Sequence, residues 1–289
     1  MSWGLEHHER GDYTGDNRQT TDPKGVCPMI LERIIARKFQ DLAVQKREMP
    51  LRKLEALIPE LEPPRKFEMA LRLPGEIAII AETKKASPSK GIIRQEYNPE
   101  DLARAYELDG AAAVSVLTEE RFFLGHPEHL SRVKKVTKLP VLRKDFIIDP
   151  YQIFESRALG ADAILLIAAA LTPGQLIEFQ SLAAGLGLAC LVEVHTEAEL
   201  TAVLMTDAQI IGINNRDLRT FQTDLNTTFK LLKLINDAGI TIVSESGIKS
   251  VQDIERLLEH GVQAALVGEA LVSSADPGAS LIKLLGRSL

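Results

Sequence analysis

Along the chain, short apolar runs alternate with longer segments in which apolar residues recur every three or four positions. The runs begin near Ile77, Ala113, Pro140, Asp162, Leu188, Gln209, Thr241 and Ala264. Each is hydrophobic on both faces, the pattern of a strand in a parallel sheet covered by helices. Between the runs the spacing predicts helices over 101–108, 151–159, 175–184, 227–238 and 251–259. Gly110, Gly160, Gly239 and Gly261 stand where C-caps belong, since glycine adopts the left-handed conformation that ends a helix. Eight strand–helix units predict an α/β fold, a single closed (β/α)8 TIM barrel. The competing topology is an open doubly wound sheet. No G-x-G-x-x-G follows the first strand, which weighs against its dinucleotide-binding form.

Ahead of the barrel, Ile30, Ile34, Ile35, Phe39 and Leu42 recur at helical spacing among Arg, Lys and Glu, which predicts an amphipathic helix that ends before Pro50. A second short helix over 51–57 leads into a proline-rich stretch over 59–64. Residues 1–25 are polar, aperiodic and rich in Gly, Asp and Thr, so they read as a mobile or partner-dependent tail. The chain thus divides into a tail (1–25), a helical extension over the barrel (26–74) and the barrel itself (75–289).

Composition narrows the class. A chain of 289 residues with 45% hydrophobic residues fits one barrel of about 250 residues plus its extension. The net charge of −6 is spread along the chain, which argues against nucleic acid and membrane partners. Cys27 and Cys190 have neither disulfide-framework nor metal-site spacing. No apolar run approaches the ~20 residues of a membrane span and no signal-peptide pattern opens the chain, so the expected location is cytoplasmic. The expected state is a monomer, with a weak dimer as the alternative.

In a parallel barrel, polar residues at the C-terminal ends of strands are the candidates for chemistry. Side chains two apart share a face. After the first strand, Glu82 and Lys84 point together into the mouth, and Ser87 and Pro88 follow. On the third strand, Lys144 shares its inward face with Leu142, while Arg143 and Asp145 point away. Desolvation and neighbouring cations are expected to lower the Lys144 pKa and make it a usable acid. On the fifth strand, Glu193 is an isolated carboxylate that needs a cation. His195 reads as alternating to the other face, as a supporting or helix-packing residue outside the site. Asn214 and Arg216 suit orientation and anion binding on the sixth strand. The turns Ser244-Glu245-Ser246-Gly247 and Gly268-Glu269 follow the seventh and eighth strands. Their backbone N–H groups suit a phosphate. The inward set of Lys84, Lys144 and Arg216 against Glu82 and Glu193 carries one net positive charge, and Phe123, Phe146, Pro88, Leu165 and Ile167 form an apolar wall. An anionic substrate with an aromatic body and a phosphorylated tail fits both features.

Five motifs in strand order resemble the indole-3-glycerol-phosphate synthase family: Glu82-x-Lys84-x-x-Ser87-Pro88-Ser89, Leu142-x-Lys144-Asp145-Phe146, Val192-Glu193-Val194-His195, Ile213-Asn214-x-Arg216-Asp217-Leu218 and Ser244-Glu245-Ser246-Gly247. The resemblance runs from about Ile30 to the C-terminus. It implies ring closure, decarboxylation and dehydration of 1-(o-carboxyphenylamino)-1-deoxyribulose 5-phosphate in tryptophan biosynthesis, a carboxy-lyase reaction with no cofactor and no metal. It implies that Lys144 protonates the carbonyl, that Glu193 and Glu82 with Lys84 serve dehydration, and that Asn214 and Arg216 position the substrate, with Glu245 at the substrate. Phosphate falls to Lys84, Ser246, Gly247, Gly268 and Glu269, the Glu269 side chain turning away. The first helix and the loop after Lys85 are the candidate lid. Two alternatives stand beside this: another phosphosugar barrel enzyme of the same pathway, and a non-catalytic phosphometabolite-binding barrel.

Overall fold

The computed structural model describes residues 30–288, so the expected tail over 1–25 and Cys27 lie outside the described residues. Eight strands close into a barrel: β1 (Ala78–Thr83), β2 (Ala113–Leu117), β3 (Val141–Lys144), β4 (Ala163–Ile167), β5 (Ala189–Val194), β6 (Ile210–Asn214), β7 (Thr241–Glu245) and β8 (Ala264–Val267). All neighbours pair in parallel, and β1 closes against β8 with Ala78 opposite Ala264. The sheet therefore has no free edge, and the open-sheet alternative is excluded.

Alternation along the strands divides the core. Residues such as Ile79, Val116, Leu166, Val192 and Ile213 face outward onto Leu102, Leu130, Ile153, Leu176 and Leu200 of the helical layer. Ala78, Ile80, Leu142, Leu165, Leu191, Val243 and Leu266 fill the interior. Phe67 and Leu71, from the segment leading into β1, join that interior cluster. Arg72 donates to Oγ1 of Thr241 at the start of β7 (2.8 Å), so this segment seals the N-terminal end of the barrel.

The connecting helices start with a repeated device. Asn98, His126, Asp149, Thr172 and Asp276 each accept a backbone N–H at a helix N-terminus and each is followed by proline. The side chain satisfies an orphan donor, and proline lacks the N–H that would be another. Gly110, Gly160 and Gly261 adopt positive φ as expected of C-caps, but Gly239 does not. The helix expected over 227–238 spans only Asn226–Leu232. Asp237 Oδ1 accepts the Gly239 N–H (2.7 Å), and this local turn competes with helix continuation.

The extension forms α1 (Ile30–Glu48) and α2 (Leu51–Leu57). Leu42 and Leu54 pack with Ile148 and Tyr151 beyond β3. Phe39, expected on the buried face, is 57% exposed. The neighbouring Lys38 is buried instead, its ammonium 2.7 Å from Asp145, and this ion pair sets the rotation of α1. Asp145 also accepts from Thr118 Oγ1 (2.7 Å) and Arg143 (3.1 Å). Burial works against its charge, but Lys38 and Arg143 outweigh it and hold the carboxyl down at about 2.

Candidate active site

The C-terminal strand ends open into a cavity of about 730 Å³. Glu82, Lys84, Ser87, Pro88, Phe123, Lys144, Phe146, Leu165, Ile167, Glu193, Asn214, Arg216, Ser246, Gly247, Gly268 and Glu269 all line it. Ile30, Leu31 and Ile34 of α1 line it from the side of the extension. The rings of Phe123 and Phe146 stand 6.1 Å apart and, with the aliphatic side chains, make one wall apolar.

Lys144 is the hub of the opposite side. Its Nζ lies 3.2 Å from Glu245 Oε2, 3.7 Å from Glu82 Oε2 and 3.8 Å from Glu193 Oε2. Lys84 donates to the other oxygen of Glu82 at 2.6 Å. The expectation that Lys144 has a lowered pKa is overturned. Burial alone would depress it, but the charges of Glu245, Glu82 and Glu193 outweigh burial and raise it well above the ordinary range. Its neighbours are anions, not the cations expected. The same attraction keeps Glu82 below its usual value, as Lys84 and Lys144 together overcome its burial. Glu245 behaves oppositely: desolvation, against the attraction of Lys144, pushes it up to about 8. Glu245 therefore gives up its proton less readily than an ordinary carboxyl, although it lies against the Lys144 ammonium.

Glu245 is fully buried beneath Lys144 and is absent from the cavity lining, so it underlies the site instead of facing the substrate. It belongs with the inward charges, since Val243 and Glu245 share the inward face of β7. With it, three carboxyl groups, not two, stand around the inward cations. Two glycines make room for the inward carboxylates. A Cβ on Gly212 would overlap Glu245 Oε1, and one on Gly268 would overlap Glu82 Oε1 and stand 2.9 Å from Lys84 Nζ.

The phosphate-type turn after β7 places Ser246 and Gly247 in succession at φ 65° and 82°. Serine is strained there. Asn215, buried behind the turn, holds it by donating to the carbonyls of Glu245 (2.9 Å) and Ser246 (3.1 Å). Gly268 opens a short helix, Glu269–Val272. The Glu269 side chain does not turn away from the cavity, because Lys90 (2.6 Å) and Arg216 (3.5 Å) hold it at the rim. Sequence reasoning passed over Lys90; the two-residue ribbon pairing Ser87 with Gly91 returns it to the mouth. His195 does not turn to the other face as expected, although it stays outside the cavity lining. It stands two residues after Glu193, hence on the same side, with Nε2 3.4 Å from Glu193 Oε1.

A closed parallel barrel with an acid–base cluster, an apolar wall and small-residue turns after β7 and β8 defines an enzyme of the (β/α)8 class that acts on a small anionic substrate. Comparison with known proteins narrows this class. The family model for indole-3-glycerol phosphate synthase matches residues 31–284, and the chain belongs to that family. It is 52% identical over 261 residues to indole-3-glycerol phosphate synthase of Dehalococcoides mccartyi, covering 89% of this chain and 100% of that one. It is 50% identical over 256 residues to that of Alkaliphilus metalliredigens, covering 89% and 98%. Among solved structures, 3-hexulose-6-phosphate synthase from Salmonella typhimurium superposes with a TM-score of 0.60 at 15% identity, covering 73% of this chain and 97% of that one. That likeness speaks for the fold alone.

Proposed function

We infer that the chain converts 1-(o-carboxyphenylamino)-1-deoxyribulose 5-phosphate to indole-3-glycerol phosphate, carbon dioxide and water, as a carboxy-lyase of tryptophan biosynthesis. The observation that carries the assignment of roles is the Lys144 hub, one ammonium facing carboxylates from three other strands beside an apolar wall.

Ring closure needs charge on the ribulose carbonyl oxygen neutralised as the aromatic carbon attacks. A lysine with a raised pKa gives little up to water, but it stabilises the developing alkoxide and can protonate it once formed, because an alkoxide is the stronger base. That is the role of Lys144. Glu193 and Glu82 flank it and serve the proton transfers of dehydration, Glu82 with its charge set by Lys84. Asn214, whose Oδ1 accepts the Arg216 N–H (3.0 Å), and Arg216 orient the substrate. The aromatic body lies against Phe123, Phe146, Pro88, Leu165 and Ile167, near Ser87. Phosphate meets the backbone of Ser246, Gly247, Gly268 and Glu269, helped by Lys84, and the Glu269 carboxylate must swing out with Lys90 for it to enter. The described part of the extension, through Ile30, Leu31 and Ile34, serves as the cap that limits bulk water.

The test follows indole fluorescence with this substrate for the wild type and Lys144→Ala. Wild-type turnover with a fall of about 10³-fold in a folded Lys144→Ala protein is expected, within the range for a lost general acid. A well-folded wild type that produces no indole would sink the reading.

A further inference from the structure

His195 follows β5, and its imidazole stands between two carboxylates. Nε2 is 3.4 Å from Oε1 of Glu193, and Nδ1 is 3.4 Å from Oε2 of Glu199. The side chain is only 9% exposed, and among the described residues neither ring nitrogen has a hydrogen-bond partner, so the two carboxylates at 3.4 Å are the acceptors within its reach. Glu199 is itself anchored in the first turn of the helix Glu197–Val203, where it accepts the His195 backbone N–H at 2.7 Å. The Glu193 carboxylate is divided: Oε1 faces His195, and Oε2 faces Lys144 at 3.8 Å. His195 does not line the cavity, so it acts on the reaction only through Glu193.

We propose that His195 is a positioning residue which, as an imidazolium bridging Glu193 and Glu199, holds the Glu193 carboxylate with Oε2 turned to Lys144 and the substrate. This rests on the role given to Glu193 above. An imidazolium has two N–H donors and can serve both carboxylates, whereas neutral imidazole has one and must abandon either. A glutamate freed on one side can rotate about its last torsion and collapse onto Lys144. The charged groups facing the ring are Glu193 on its own strand, Glu199 on the following helix and, further away, Glu245 on β7. Burial lowers the imidazole, but the close approach of Glu199 and the pull of these carboxyl groups outweigh it and raise its pKa above the ordinary value. The bridge therefore persists to higher pH than an ordinary imidazolium would and is lost as pH rises through that raised value.

The experiment combines four variants with a direct titration. His195→Phe should lower kcat about tenfold with KM within about twofold, the scale of a misplaced catalytic group. His195→Gln, which keeps a donor nitrogen and cannot titrate, should recover much of kcat and lose the alkaline limb ascribed to the imidazole. Glu199→Gln, remote from the cavity, should lower the His195 pKa read from the imidazole Cε1–H signal by NMR. The limb in kcat should then move down by the same amount. Full kcat in His195→Phe, or a limb that ignores the imidazole titration, overturns the proposal. If His195→Phe does not fold, the Glu199→Gln correspondence decides alone. Glu193→Gln separates the two levels: an active Glu193→Gln protein refutes the role of Glu193 itself, whereas an inactive one beside a fully active His195→Phe refutes only the positioning.

Discussion

The lower and upper halves of the barrel interior are made by the same strands, two residues apart, and they are chemical opposites. Ile80, Leu142, Leu191 and Val243 fill the lower layer. Glu82, Lys144, Glu193 and Glu245 stand one inward step further along the same four strands and form the charged cluster. Below, side chains meet without polar atoms, and burial at roughly 25 cal/mol per Å² holds the barrel closed. Above, every buried charge costs desolvation that only its partners offset. The lower layer supplies the stability that lets the upper layer keep two lysines and three carboxyl groups out of water.

That contrast can be broken from either side. Phe67→Ala empties the sealed end, and the expected loss is about 4 kcal/mol of stability, in the range for a buried aromatic truncated to alanine. Denaturant unfolding gives that loss, while kcat per folded molecule should stay near wild type. A large fall in kcat at unchanged stability would erase the division between the halves. Gly268→Ala tests the upper half, because its Cβ would displace the Glu82 carboxylate and the Lys84 ammonium. Activity should fall about 100-fold, equivalent to about 2.7 kcal/mol, with a melting temperature close to wild type.

The smallest effect concerns Glu245. Its acid form persists to about pH 8 in the folded chain, against the ordinary carboxyl range when unfolded. The stability tied to that proton is complete at low pH and is lost as pH rises toward 8. Glu245→Gln copies the neutral acid, so its melting temperature should fall less than that of wild type between pH 6 and pH 9. Parallel profiles would mean that Glu245 is not protonated under Lys144.

Much of this was legible in one dimension. Eight apolar runs announced eight strands, and a period of two placed Glu82, Lys84, Lys144, Glu193 and Asn214 at the mouth correctly. Misreadings came where that rule was not carried through, as at Glu245 and His195, or where a three-dimensional partner decided the outcome. Phe39 looked like core because its spacing is helical, yet the pull of Asp145 on Lys38 turned α1 and left Phe39 in water. Lys90 carried no periodic signal, and a ribbon of four residues brought it to Glu269.

The sequence by itself determined the strand count, the inward face of each strand and the residue types at the mouth, because alternation and capping are local consequences of backbone geometry. Only the tertiary structure decided the protonation of those residues. Lys144 is pushed up and held as a cation, and Glu245 is pushed toward its acid form, because carboxyl groups more than 40 residues apart in sequence converge on one ammonium where water is excluded. Electrostatic energy depends on distance and burial in space, and neither is a function of position along the chain.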